Sequence, residues 1–232
     1  MSEEARERIL ARVRAASRRA TESEVEAALA ALGGGPAPRP LHPDPRVTLL
    51  AQLLRNQAGV DAVTDRTAAV RAIGEFLGAR HGSRKLVAGQ DPRLAALPWR
   101  DAGLLPRFGE VEPGDLAAVS YARLAIGETG SVVLTSGRDN PGRNNLLPED
   151  HIVLVNGEDV VAGLDDLWPA LQARLGAEQR PRGLHLISGP SSTADIALEM
   201  VFGAHGPRAL QVVLVAGDAP DCLAAARSLS GS

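Results

Sequence analysis

The sequence predicts an α/β fold with a mainly parallel sheet, preceded by a helical arm. Three observations carry that prediction. From residue 47 onward, strand-like and helix-like segments alternate at close spacing, the pattern of parallel strands joined by crossover helices. Four short runs, SVVLT (131–135), HIVLV (151–155), LHLIS (184–188) and LQVVLV (210–215), are apolar on both faces, as strands in the middle of a covered parallel sheet are. Aromatic residues make up 3% of the chain, so the core has to be built from Leu, Val, Ile and Ala, which favours helices layered on a sheet over an aromatic-rich β-sandwich.

Residues 2–31 read as helix, with Ile9, Leu10, Val13 and Ala16, then Val25, Leu29 and Leu32, at helical spacing. Thr21 followed by Glu24 has the pattern of a capping box, which points to two helices in this stretch. Gly33-Gly34-Gly35-Pro36-Ala37-Pro38 breaks the pattern, and Pro40, Pro43 and Pro45 continue the break. The expected organisation is an arm with its linker over 1–45 and one α/β domain over 46–232. Within that domain Val47–Arg55 reads as helix, Gly59–Val63 as a short strand, Asp65–Leu77 as helix and Arg84–Ala88 as strand. Asp115–Ile126 has helical spacing at Leu116, Val119 and Leu124. Arg138–Pro148 is loop by composition, and Val160–Leu175 and Thr193–Phe202 are expected as helices.

Composition narrows the functional classes. The formal net charge of -3 provides no broad cationic field for nucleic acid or an anionic membrane. Arg6, Arg8, Arg12, Arg14, Arg18 and Arg19 cluster near the start, but Glu3, Glu4 and Glu7 are mixed among them, as on a solvated amphipathic helix. The single cysteine, Cys222, cannot form an internal disulfide or supply the four thiolates of an iron–sulfur site. No apolar signal-peptide core opens the sequence and no run approaches the ~18 apolar residues of a membrane span, so a cytoplasmic protein without membrane insertion is expected. No histidine–carboxylate cluster has metal-ligand spacing, and no G-x-G-x-x-G follows a strand, so neither a metal nor a flavin is expected in this chain.

Three segments are candidates for chemistry. In SGPSSTADIALEM a strand ends at Ser188, a turn follows with Gly189 and Pro190, and a helix is expected to open near Ser192 or Thr193, capped by Ser192 with Asp195 reaching back. Such a turn, with Ser191 at its centre, either aims backbone N–H groups and hydroxyls at a phosphate or carboxylate or is ordinary capping. It lacks the lysine of a phosphate-binding P-loop. In GETGSVVLTSG, Glu128 stands beside Thr129 and Gly130, either as a nucleophile or base at a ligand edge or as a solvated turn residue. In GAHGPRALQVVLV, Gly206 fits the left-handed residue that ends a helix, Arg208 leads into a strand, and His205 is either a proton carrier or a histidine at a helix's negative end. His151 and His185 read as structural. The three segments are expected to converge at the carboxyl ends of the strands, where open α/β sheets bind ligands.

Taken together and in this order, GETGSVVLTSG, LLPEDHIVLV and LISGPSSTADIALEMVFGAHGPRALQVVLV resemble the LUD-domain family, and within it the lactate-utilisation protein C branch, over roughly residues 115–216. The resemblance implies a Rossmann-like, three-layer α/β/α fold similar to that of sugar-phosphate isomerases and CoA transferases. It implies a component of a bacterial system that oxidises L-lactate to pyruvate together with iron–sulfur partner proteins. The lone Cys222 agrees with that division of labour. In the related CoA transferases a glutamate is the covalent nucleophile, and Glu128 has a comparable glycine-flanked setting. The expected role is a non-redox subunit that binds a small carboxylate or a partner, with homo-oligomers open. The alternative is a stand-alone enzyme acting on a phosphorylated or CoA-type substrate through the anion-binding turn.

Overall fold

The computed structural model describes residues 3–17, 20–33, 38–176, 180–194 and 200–231. The chain divides into two units, Met1–Arg39 and Pro40–Ser232. In the first unit lie helices α1 (Glu3–Ala16) and α2 (Glu22–Leu32). The capping box at the start of α2 is formed: the Glu24 N–H donates to Thr21 Oγ1 at 3.3 Å, and the Thr21 N–H donates to Glu24 Oε2 at 2.7 Å. Neither helix has a buried residue, and Ile9, Val13, Leu29 and Leu32 stay exposed.

The second unit runs α3 (Pro45–Arg55), β1 (Gly59–Val63), α4 (Arg66–His81), β2 (Val87–Ala88), α5 (Pro92–Ala95), β3 (Arg107–Phe108), β4 (Ala117–Tyr121), β5 (Leu124–Ile126), β6 (Ser131–Thr135), β7 (Asp150–Asn156), β8 (Val160–Val161), α6 (Leu167–Leu175), β9 (Leu184–Ile187), β10 (Ser192–Ala194), β11 (Met200–Phe202), β12 (Ala209–Val215) and α7 (Ala219–Ser230). Local chemistry sets the helix starts. Asp44 accepts from the Arg46 N–H at 2.8 Å ahead of Pro45, and Asp65 accepts from the Ala68 N–H at 2.9 Å.

The main sheet has six strands in the order β1-β12-β7-β4-β2-β3, and its pairings are parallel. Alternate residues of each central strand serve opposite faces. Val153, Val155, Val212 and Leu214 pack on one side with Leu49, Leu50 and Leu53 of α3 and Cys222 and Ala226 of α7. Ile152, Leu154 and Val213 pack on the other with Val70, Ile73 and Leu77 of α4. Helices on both faces make the three-layer α/β/α arrangement the sequence implied, and burial on both sides is why these strands read as unbroken apolar runs.

A second sheet, in the order β8-β5-β6-β9, corrects part of the sequence reading. The runs at 131–135 and 184–188 were expected in the parallel sheet, but β6 pairs antiparallel with both β5 and β9. Val132 and Leu134 of β6 face α3, while Val133 faces Leu167 and Leu171 of α6. Being covered on two sides, β6 has the same composition as a central parallel strand. The expected helix at Asp115–Ile126 is instead β4, a short connection and β5, all of whose strand residues are buried. The helical spacing of Leu116, Val119 and Leu124 is fortuitous: the strand residues are buried on both faces, so their apolar pattern does not report the period, and tertiary packing decides the conformation. The expected helix Val160–Leu175 is α-helical only over Leu167–Leu175, after a 3-10 turn at Leu164–Asp166, because Val160 and Val161 join the second sheet beside β5. The expected helix Thr193–Phe202 is overturned at both of its described ends, where β10 and β11 pair antiparallel with Thr193 opposite Val201, while residues 195–199 lie outside the described residues. No helix of the described residues is long and apolar enough to cross a membrane.

Candidate functional site

The candidate site is built where helix α3 ends. Its terminal carbonyls are satisfied by the Gln57 N–H, which donates to Leu54 O at 3.0 Å, and the Ala58 N–H, which donates to Leu53 O at 3.0 Å. This closure needs a left-handed residue, which is usually glycine. Here it is Gln57, with φ of 63°, the one non-glycine residue among those described with positive φ. A side chain in that conformation costs on the order of 1 kcal/mol, and such strain gathers at functional sites.

Two glycine turns press against this helix end. Gly130 has φ of 64°, and a Cβ there would lie 2.6 Å from the Gln52 Cβ. A Cβ on Gly189 would lie 2.6 Å from the Asn56 carbonyl oxygen. The contacts are also polar: Gln52 Nε2 donates to Glu128 O at 2.9 Å, and Asn56 Nδ2 donates to Thr129 O at 3.4 Å. Ser131, 3% exposed, joins the two turns through its hydroxyl, 2.6 Å from Thr129 Oγ1 and 2.7 Å from Ser188 Oγ.

A cavity of about 350 Å³ opens at this junction. Arg55, Asn56 and Gln57 form one wall, and Ser188, Gly189, Pro190, Ser192 and Phe202 the other. Arg55 is anchored by donating from Nη2 to Leu229 O at 2.8 Å. Ser191 ties in the third segment: its N–H donates to Pro207 O at 2.8 Å, and its carbonyl accepts from the Gly203 N–H at 2.9 Å. Gly206 lies against it, since a Cβ there would come within 3.2 Å of the Ser191 Cβ.

The three sequence segments therefore meet, but for a different reason than expected. Because β6 and β9 are antiparallel, the turn before β6 and the turn after β9 lie at one end of the second sheet, with Val132 opposite Ile187. This is not the carboxyl edge of the parallel sheet. Ser192 and Thr193 lie in strand β10 and open no helix; the helix end nearby among the described residues is the carboxyl end of α3, which carries partial negative charge.

The individual side chains divide sharply. Thr129, Gly130, Ser188, Gly189, Pro190 and Ser192 form or support the cavity. Glu128 does not line it: Oε2 accepts from the Leu164 N–H at 2.9 Å, so the carboxylate caps the turn ahead of α6. Thr193 lies in the β10 ladder, and Asp195 lies outside the described residues. Gly206 ends no helix; Gly203, with φ of 84°, is the left-handed residue, and the Arg208 side chain crosses over it. His205 is exposed in the same loop. Chemically the cavity offers hydroxyls, amides and one guanidinium. Among the described residues the Thr129–Ser131–Ser188 chain is made of hydroxyls, groups that donate to and accept from a polar ligand. No group of three metal-ligating side chains occurs among the described residues.

Sequence reasoning missed Arg55, Asn56, Gln57 and Phe202. The available signal was Gln57 where a helix end normally has glycine. It also missed a buried polar cluster inside the loop 138–148. Ser120 Oγ lies 3.1 Å from Asn140 Oδ1 and 3.0 Å from Asn145 Oδ1, alternative acceptors for its one proton, and His151 Nε2 lies 3.0 Å from the same hydroxyl. Burial, and then the charge of His185, push the His151 pKa down to about 3, so it is a neutral core residue.

The chain is similar in sequence to known proteins. Residues 116–215 match the family model of the LUD domain. A protein named Lactate utilization protein C from Deinococcus radiodurans is 30% identical over 188 residues, covering 78% of this chain and 84% of the relative. The Escherichia coli protein YkgG, described as uncharacterized, is 34% identical over 113 residues and 48% of each chain. A Lactate utilization protein C from Halalkalibacterium halodurans is 32% identical over 107 residues, 45% of this chain and 46% of the relative. The chain thus spans about half of these last two. Among solved structures, a DUF162 family protein from Deinococcus radiodurans matches with a TM-score of 0.49 and 23% identity, over 73% of this chain and 98% of that one.

Proposed function

We propose that this chain, which belongs to the LUD-domain family, is the lactate-utilisation protein C component of a bacterial L-lactate-oxidising system. The observation that carries this reading is the 30% identity that extends over 84% of a relative bearing that name. In this role the chain is a non-redox subunit acting beside iron–sulfur partner proteins in the cytoplasm. Its one cysteine supports that division, since a cluster needs several thiolates. The cavity at the end of α3, with its chain of hydroxyls, supports a recognition role. Its mixture of amides, hydroxyls and one anchored arginine suits a small polar ligand or a partner's polar segment.

The test is genetic. A strain lacking this chain is expected to lose growth on L-lactate as sole carbon source, to keep growth on glucose, and to recover when the wild-type chain is restored. Undiminished growth of the deletion strain on L-lactate contradicts the reading.

A further inference from the structure

The opposite end of the second sheet carries another cavity, of about 200 Å³. β6 is five residues long, so the two ends lie about 15 Å apart at the usual strand rise. Arg123, Arg138 and Arg180 line this cavity from three separate segments: the residue before β5, the loop after β6 and the stretch before β9. Asp139 is the one acid among the described lining residues. Among the described residues none of the three arginines pairs with a carboxylate within 4.0 Å. Asp91, which feels the charge of Arg123, is held by Arg93 instead at 2.8 Å.

The floor of the cavity is polar and fixed. Thr135, 9% exposed, accepts from Arg123 Nε at 3.5 Å, and its carbonyl accepts from Asn140 Nδ2 at 3.3 Å. Asn140 Oδ1 in turn lies 3.1 Å from Ser120 Oγ, which joins the floor to the buried cluster of Asn145 and His151. In that cluster Asn145 Nδ2 and His151 Nδ1 are buried without a hydrogen-bond partner. The remaining wall is apolar, from Leu175 and Pro181.

Three like charges around one small space repel one another, and a bound anion relieves that repulsion. The planar guanidinium fork fits a carboxylate through two parallel N–H bonds. An apolar wall beside the charges adds contact for a short carbon chain, which inorganic phosphate lacks. We propose that this cavity binds a small organic carboxylate, the carboxylate group held by Arg123 with Arg138 and Arg180, and the carbon chain against Leu175 and Pro181.

Charge and shape carry this assignment on their own; only its link to growth on L-lactate rests on the proposed lactate-utilisation role. Isothermal titration of the full chain at low salt with pyruvate, L-lactate, succinate and inorganic phosphate tests it. At least one carboxylate is expected to bind with a Kd of about 1 mM or tighter, and more tightly than phosphate. Arg123→Ala is expected to weaken that binding about tenfold or more, the loss typical of a charge-assisted hydrogen bond. Arg138→Ala should weaken it too, and since that side chain belongs to an exposed loop residue, this variant decides the matter if Arg123→Ala does not fold. Phosphate binding as tightly as every carboxylate, no carboxylate binding, or unchanged affinity in the folded variants would overturn the assignment. Failure here with growth on L-lactate still dependent on the chain refutes the cavity and leaves the lactate role standing.

Discussion

In the six-stranded sheet the buried charge is answered inside the fold. Asp150, whose side chain has no exposed surface, meets Arg80 at 2.6 Å and His81 at 2.7 Å at the start of β7. The four-stranded sheet is built the other way. Its strands are as apolar as those of the first, but polar groups gather at its two ends and face cavities: hydroxyls and amides beside Ser188, arginines beside Thr135. Satisfied charges inside a covered sheet stabilise a fold, whereas polar groups facing a cavity are available to something else. Substitutions in the first sheet should therefore cost stability, and substitutions at the ends of the second should cost recognition with little change in stability.

The largest expected effect concerns His151. Its folded pKa of about 3 lies below its ordinary value of 6.5, so the unfolded chain takes up the proton first. Stability from this group is complete above about pH 6.5 and drains as pH falls toward 3, by on the order of 4 kcal/mol. Urea midpoints measured across that range should begin to fall near pH 6, and His151→Gln should flatten the fall. A wild-type midpoint that holds steady down to pH 4 contradicts this. Next comes Arg80→Ala, which strips one of two partners from a buried carboxylate and should cost about 3 kcal/mol in the same assay. A cost under ~1 kcal/mol, the range of an exposed pair, would remove the contrast between the sheets. Smallest is Gln57→Gly. Glycine takes the left-handed conformation freely, so the variant should be as stable as wild type or up to about 1 kcal/mol more stable. A clear loss of stability would mean that Gln57 is held there by packing and not kept despite strain.

Much of the first sheet was legible in the sequence. HIVLV and LQVVLV became β7 and β12, and the helices read over 47–55 and 65–77 are α3 and α4, whose aspartate caps the structure adds. The helical arm was equally plain, down to the Thr21–Glu24 box. What failed was anything decided by the second sheet. Leu116 to Ile126 carries a chance helical spacing, and only burial between layers makes it two strands. Nothing local distinguishes an antiparallel strand covered on both faces from a parallel one, so β6 was placed in the wrong sheet. The site was half legible: Ser188, Gly189 and Pro190 stand out as a turn, and Thr129 beside them. Asn56 and Gln57 sit at the end of a core helix, and Arg123, Arg138 and Arg180 come from three separate segments of the chain, so only the fold brings each set together.

The central claim is that the ends of the second sheet are recognition sites while the first sheet holds the fold; if the chain acts in lactate utilisation as proposed, losing either site should impair it. The most direct measurement is the growth rate on L-lactate of a strain lacking this chain, complemented with wild type, Ser188→Ala or Arg123→Ala, with protein levels and urea midpoints checked in parallel. The account predicts that wild type restores growth, that both variants accumulate normally with midpoints within ~1 kcal/mol of wild type, and that both grow slowly or not at all on L-lactate. Normal growth with both variants at normal protein levels would contradict it.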